Sequence, residues 1–142
     1  MARNRPPFRV ERPLSMAVQE LHMRDRWPSF TRVGNAGVSV WRGNLQPSEV
    51  SGEYGISVEY RLGVPPNVRV LRPKLLKTPP HTYPGAKLCL YSPDDWRWDE
   101  HSILACSIIP WTAAWLLFYE LWLDTGKWLA PEAPHNENKR VA

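Results

Sequence analysis

The chain has 142 residues, enough for one domain with its own core, and an ordinary apolar fraction of 43%. Two cysteines without a CxxC pair exclude a zinc ribbon and a disulfide-stapled scaffold. The net charge of +4 comes partly from Arg3, Arg5, Arg9 and Arg12, and mixed charge elsewhere gives nucleic-acid binding no support. What departs from the ordinary is eight tryptophans and fifteen prolines, which imply an aromatic core or partner surface and short elements joined by stiff connections. The basic N-terminus lacks an apolar stretch, so no secretory leader is expected. A reducing, cytoplasmic setting follows, with Cys89 and Cys106 as free thiols.

Residues 1–12 read as a flexible basic arm, 13–130 as the folded domain and 131–142 as a flexible polar tail. From Pro13 to Arg26 the pattern is helical, with Ser15 as N-cap, no capping box because Val18 stands three residues on, and a weak apolar face of Met16, Ala17, Leu21 and Met23. Trp27-Pro28 ends it. Four strand-like runs follow. Phe30–Val33 is short. Val38–Leu45 alternates apolar with polar or small residues, led by Val38 and Val40. Tyr54–Leu62 puts Tyr54, Ile56, Val58 and Tyr60 on one face. Val68–Leu71 closes the series. Asn35, Gly37, Gly52 and Pro65-Pro66 punctuate them, which implies an antiparallel meander covered on one face.

Residues 72–87 carry prolines and no period, so a long irregular segment is expected, and such segments in compact domains tend to be functional. A brief apolar run, Leu88–Tyr91, holds Cys89. Asp99 is placed to cap a helix through Ile109, and Pro110 to open a second one. On that helix Trp111, Trp115, Phe118 and Trp122 share a face with Ala114, Leu117 and Leu121 fall beside it, and Gly126 suits the C-terminal cap. Ile103–Leu123 is 21 residues long and mostly apolar, but Glu120, Ser107, Thr112 and Pro110 favour soluble helices over a membrane span. The expected class is α+β: N-terminal helix, four-stranded antiparallel meander, irregular segment, C-terminal helices.

This order, with its motifs, resembles the ubiquitin-conjugating-enzyme fold. WRGNLQP followed by YGISVEYRLGVPPNVRVLRPKL is similar to that family's meander, in which a strand runs into a Pro-Pro turn and another strand. HTYPGAKLCLY is similar to its active-site segment, and WRWDEHSI to the tryptophan that follows the cysteine. The resemblance runs from about Arg12 to Leu123. The ending, IIPWTAAWLLFYELWLDTGKWLAPEAPH, resembles bacterial relatives from anti-phage CBASS operons rather than eukaryotic enzymes. The resemblance implies a thioester between Cys89 and the C-terminus of a cGAS-like nucleotidyltransferase (or a ubiquitin-like protein), then transfer to an amine on an acceptor protein or small molecule. At this length the chain is expected to be the stand-alone type, without an activating domain.

The residues alone leave Cys89 either a nucleophile or a small core residue; the motif favours the nucleophile. Cys106, inside ILACSII, reads as packing. His81 either holds the loop by a side-chain hydrogen bond or acts as base on the amine. The family's His-Pro-Asn is here His81-Thr82-Tyr83, so the asparagine that the resemblance implies for oxyanion stabilisation or for shaping the active-site loop is missing, and the Tyr83 hydroxyl is a candidate replacement toward the oxyanion. Asp94 and Asp95 orient an acceptor or merely form the SPDD turn. Trp96, Trp98, Trp111 and Trp115 are expected to brace the cysteine segment, and Trp122 or Trp128 to serve a partner or homodimer surface. No cofactor, metal, nucleic acid or membrane is called for. The alternative is a binding module of the same fold that recognises the nucleotidyltransferase without chemistry. A Cys-His hydrolase ranks last, lacking an orienting third residue.

Overall fold

Opposed positions on neighbouring antiparallel strands point to the same face, so one strongly patterned strand dictates the rest of its sheet. In a computed structural model describing residues 9–76, 79–94 and 96–130, that strand is the third. The chain runs α1 (Met16–Arg26), β1 (Thr31–Gly34), β2 (Val38–Leu45), β3 (Tyr54–Arg61), β4 (Asn67–Arg72), a small hairpin of β5 (Thr82–Tyr83) and β6 (Lys87–Leu88), a 3₁₀ turn Leu104–Cys106, and α2 (Ile108–Thr125). The strands β1-β2-β3-β4 form one antiparallel meander in that spatial order. The expected arm as far as residue 8, the tail from residue 131, and Asp95 lie outside the described residues.

Tyr54, Ile56, Val58 and Tyr60 are all buried, as their alternation predicts. They pair with Leu45, Gly43, Trp41 and Ser39. The core face of β2 is therefore Ser39, Trp41 and Leu45, and the leading valines, Val38 and Val40, turn to the other side. The apolar beat inside β2 was misleading because the neighbouring strand decides its face. Gly43 carries no side chain because the Phe30 ring lies there; a Cβ would stand 2.4 Å from it.

Ser15 caps α1 by accepting the Val18 N–H at 3.3 Å. The buried face is Met16, Gln19 and Met23, spaced for one side of a helix, while Leu21 is 61% exposed. The expected face with Ala17 and Leu21 is thus corrected: a polar residue takes the core position. Gln19 is fully buried because its amide is satisfied at both ends, Nε2 donating to Ser102 O at 2.8 Å and Oε1 accepting Leu104 N–H at 3.1 Å. It clips the chain leading into α2.

The segment entering α2 is the main departure. No helix spans 99–109; the region makes only a 3₁₀ turn, and α2 begins at Ile108 with Pro110 inside its first turn. The first backbone N–H groups of a helix lack intrahelical partners, so proline costs nothing there and divides nothing. Asp99 instead accepts the His101 N–H at 2.9 Å and a two-pronged bond from Arg9, at 3.1 and 2.9 Å. Val10 N–H donates to His101 O and Leu14 N–H to Glu100 O, both at 2.8 Å. The end of the expected flexible arm is therefore strapped along residues 99–102 from Arg9 onward.

Residues Leu104–Thr125 are long and apolar enough to cross a membrane by length and composition, but more than half of the window is buried within the protein. Ile108, Ile109, Thr112, Trp115, Leu116 and Tyr119 form the buried stripe. Trp111, Phe118 and Trp122, expected at its centre, are only half-buried, and Ala114 is exposed. Glu120 ties the helix to the sheet, accepting from Ser51 Oγ at 2.6 Å and Tyr54 Oη at 2.8 Å. Burial and this carboxylate push the Tyr54 phenol well above its ordinary pKa. Gly126 ends α2 in the left-handed conformation, φ 76°, its N–H on Trp122 O at 2.8 Å.

Replacing Gln19 by Leu keeps the volume but strands the Leu104 N–H and the Ser102 carbonyl, so urea unfolding should show a loss of about 3 kcal/mol without a change in m-value.

Candidate active site

The loop bearing Cys89 is short of regular structure, so its shape rests on a few hydrogen bonds. β5 and β6 pair Thr82 with Leu88 and Tyr83 with Lys87. The turn between them passes through left-handed Gly85 and Ala86, φ 82° and 61°, and Arg69 on β4 donates to Gly85 O at 3.1 Å. The Cys89 N–H extends the ladder by donating to His81 O at 2.9 Å. The same carbonyl accepts Trp115 Nε1–H from α2 at 3.1 Å. His81 is left-handed, φ 56°, a conformation that costs a non-glycine residue roughly 1 kcal/mol and aims this carbonyl inward.

His81 therefore holds the loop through its main chain, where a side-chain bond was expected. Its ring is exposed and packs on Trp128, centroids 5.1 Å apart. Half-buried Trp128 also meets Trp115 at 5.3 Å and Phe118 at 6.2 Å, so part of its ring packs on α2. Half-buried Trp122 lies 6.2 Å from Tyr119.

Cys89 is half-buried, whereas Cys106 is buried on the 3₁₀ turn as packing. As a thiol, Cys89 Sγ has one proton to give, with Tyr83 Oη at 3.3 Å and Tyr91 O at 3.5 Å as its two acceptors. These are its hydrogen-bond partners among the described residues, and no imidazole is one of them. When sulfur is a thiolate the roles at Oη reverse and the phenol donates. The structure thus brings together Cys89 and Tyr83, and keeps His81 beside them as a backbone support. The Tyr83 phenol is pushed up to about 12, chiefly by its bond to Cys89, then by burial and by the charge of Cys89. It remains a neutral O–H donor over the whole working pH range. Tyr91 is likewise raised, first by burial and then by Cys89.

Asp94 is exposed in the SPDD turn, its N–H on Ser92 Oγ at 3.3 Å, with Trp96 N–H on Ser92 O at 3.1 Å. Trp96 braces the segment through Tyr91 at 4.7 Å, Trp111 at 4.9 Å and Trp98 at 5.9 Å. No cluster of three metal-ligating side chains occurs among the described residues.

An α+β meander with a half-buried cysteine beyond its fourth strand, followed by a buried tryptophan and a long helix, agrees with a family model described as Type II CBASS E2 protein, which matches residues 19–136. The chain belongs to the type II CBASS E2 family. Comparison with curated proteins returns no match. Membership makes this a protein of the conjugating-enzyme-like kind that interacts with other CBASS components. Residues overlooked in the sequence also shape this E2-like site: Arg69 holds its loop and Tyr91 gives a carbonyl to the sulfur, while Trp115, expected as a brace of this segment, acts through its indole N–H. Trp115 had only a helical spacing to announce it, which marks burial and not a hydrogen bond thirty-four residues away.

Cys89→Ala should lower the Tyr83 pKa from about 12 toward its ordinary value, read as phenolate absorbance in a pH titration against Tyr83→Phe. Because the folded value is the higher one, Tyr83 supports folding fully below about pH 10, and that support is lost as pH rises to about 12. Cys89→Ala should flatten this segment of the stability profile.

Proposed function

We propose that this protein is an acyl carrier and transferase. The C-terminus of a cGAS-like nucleotidyltransferase is held as a thioester on Cys89 and passed to an amine, in the reducing cytoplasm of a bacterium under phage attack. What carries the reading is a half-buried cysteine with a neutral phenol 3.3 Å from its sulfur, on a loop pinned from both sides, in a chain of this family. Loading begins with the Cys89 thiolate attacking an activated carbonyl. A carbon–sulfur bond forms, the carbon–sulfur bond of the incoming thioester breaks, and the previous carrier leaves as its thiolate with the electron pair. Bond types match, so the exchange is nearly isoenergetic and needs little beyond reach and a thiolate.

Transfer makes the greater demand. A neutral amine attacks the thioester carbonyl, the carbon–nitrogen bond forms, Cys89 departs as thiolate and the amine proton goes to solvent or a base. Negative charge builds on the carbonyl oxygen meanwhile. The Tyr83 O–H, raised out of the titrating range, is the donor in reach of that charge and of the departing sulfur. His81 positions the loop rather than acting as the base, since its ring packs on Trp128. Asp94 in the adjoining turn is the described acidic candidate for drawing in an amine; Asp95 shares that role only as its sequence neighbour.

Co-expression with the neighbouring nucleotidyltransferase should give a covalent adduct that dithiothreitol releases. Cys89→Ala should abolish it, and Cys89→Ser should convert it to a thiol-resistant ester. Absence of any Cys89-dependent adduct, with Cys89→Ala protecting cells as well as wild type, would establish the non-catalytic binding module instead. Tyr83→Phe should load at the wild-type rate but discharge to an amine about 100-fold more slowly, seen in single-turnover gels.

A further inference from the structure

A cavity of about 400 Å³ lies between the Pro65-Pro66 turn and the chain that follows Cys89. Its size falls in the lower part of the ligand-pocket range, roughly 300–1,000 Å³, suited to a side chain or two of an extended peptide. Pro66, Leu90, Pro93 and Trp96 give it apolar walls. Tyr83 and Tyr91 line it too, and these residues also hold the Cys89 sulfur. Tyr83 and Tyr91 therefore border both the cavity and the thiol. An extended chain advances roughly 3.3–3.6 Å per residue, so a peptide acylating Cys89 reaches the cavity within about two residues.

Two further observations describe the occupant. Trp96 Nε1 is buried without a hydrogen-bond partner among the described residues. Lys87 and Arg97 also line the cavity, and neither takes part in a salt bridge among the described residues. Cations here oppose the ammonium of an incoming lysine and attract an acidic segment. A donor already tethered to Cys89 also fills a weak subsite at high effective concentration, an advantage an arriving acceptor lacks.

We propose that the cavity is the subsite for the donor tail. An apolar side chain one or two residues ahead of the acylated carbonyl enters between Pro66, Leu90 and Trp96. A backbone carbonyl of the tail accepts the Trp96 N–H, and an acidic neighbour meets Lys87 and Arg97. This rests on the reading of Cys89 as a thioester carrier, and it adds the class of sequence that Cys89 accepts.

The test uses the full chain and synthetic peptides bearing a C-terminal mercaptoethanesulfonate thioester, which supplies the activated carbonyl. Tails carrying Gly-Gly, Leu-Gly, Glu-Leu-Gly or Lys-Leu-Gly, and a bare acetyl thioester, are compared by mass spectrometry for their rate of loading onto Cys89. The leucine tails should load at least about tenfold faster than Gly-Gly, and Glu-Leu-Gly a few-fold faster than Lys-Leu-Gly. Arg97→Glu should reverse the glutamate-over-lysine order, and Trp96→Phe should shrink the leucine advantage. If the acetyl thioester loads and all tails load alike, the subsite is overturned while the carrier reading stands. If not even the acetyl thioester loads, the carrier reading fails and the subsite with it. A side-chain preference confined to the amine, during discharge of acetyl-loaded protein, assigns the cavity to the acceptor and also overturns the proposal.

Discussion

One carbonyl oxygen carries the geometry of the site. His81 O accepts the Cys89 N–H from its own hairpin and the Trp115 indole N–H from α2. Each bond is ordinary, worth about 1 kcal/mol net. Together they join a segment with little regular structure to a helix anchored in the core. The left-handed backbone at His81 is the cost of aiming that oxygen inward. The remaining supports converge on the same loop. Arg69 reaches it from β4, Leu76 N–H donates to Tyr119 Oη on α2 at 2.7 Å, and Trp128 closes over the His81 ring. Cys89 is half-buried rather than sealed in the core, and hydrogen bonds at the core's edge steady its loop.

The tyrosine beside the sulfur fits the same logic. A phenol whose proton is held tightly donates a hydrogen bond without becoming an anion that would repel a thiolate. Its displaced pKa owes most to the sulfur, so the phenol and the thiol are electrostatically coupled. The Tyr83 hydroxyl lies in contact with the cysteine, 3.3 Å from its sulfur. The helix behind the loop is secured in turn by the Glu120 pair of hydrogen bonds and by Gln19, whose buried amide has both ends occupied.

Much of the fold was legible because period-two burial is a strong local signal. Tyr54, Ile56, Val58 and Tyr60 marked β3 and its inner face, Ser15 marked the start of α1, and Gly126 the end of α2. Legibility failed where a neighbour overrides a local pattern. Val38 and Val40 suggested the wrong face of β2, which β3 determines through pairing. Pro110 suggested a boundary that the free N–H groups of a helix's first turn make unnecessary. Leu21 looked more apolar than Gln19, yet Gln19 is the residue with partners in the core.

The amino-acid order by itself determined α1, the four strands of the meander, the α+β class and the place of Cys89 beyond the sheet, because these depend on short-range periodicity and on a motif contiguous along the chain. Only the tertiary structure decided what surrounds that cysteine. It turned His81 into a backbone clamp, packed Trp128 on the His81 ring, and set Tyr83 against sulfur. It also assembled a cavity from a Pro-Pro turn and a tryptophan some thirty residues apart. Such contacts join residues distant in sequence, and their formation follows from how the packed elements meet rather than from any pattern within one of them.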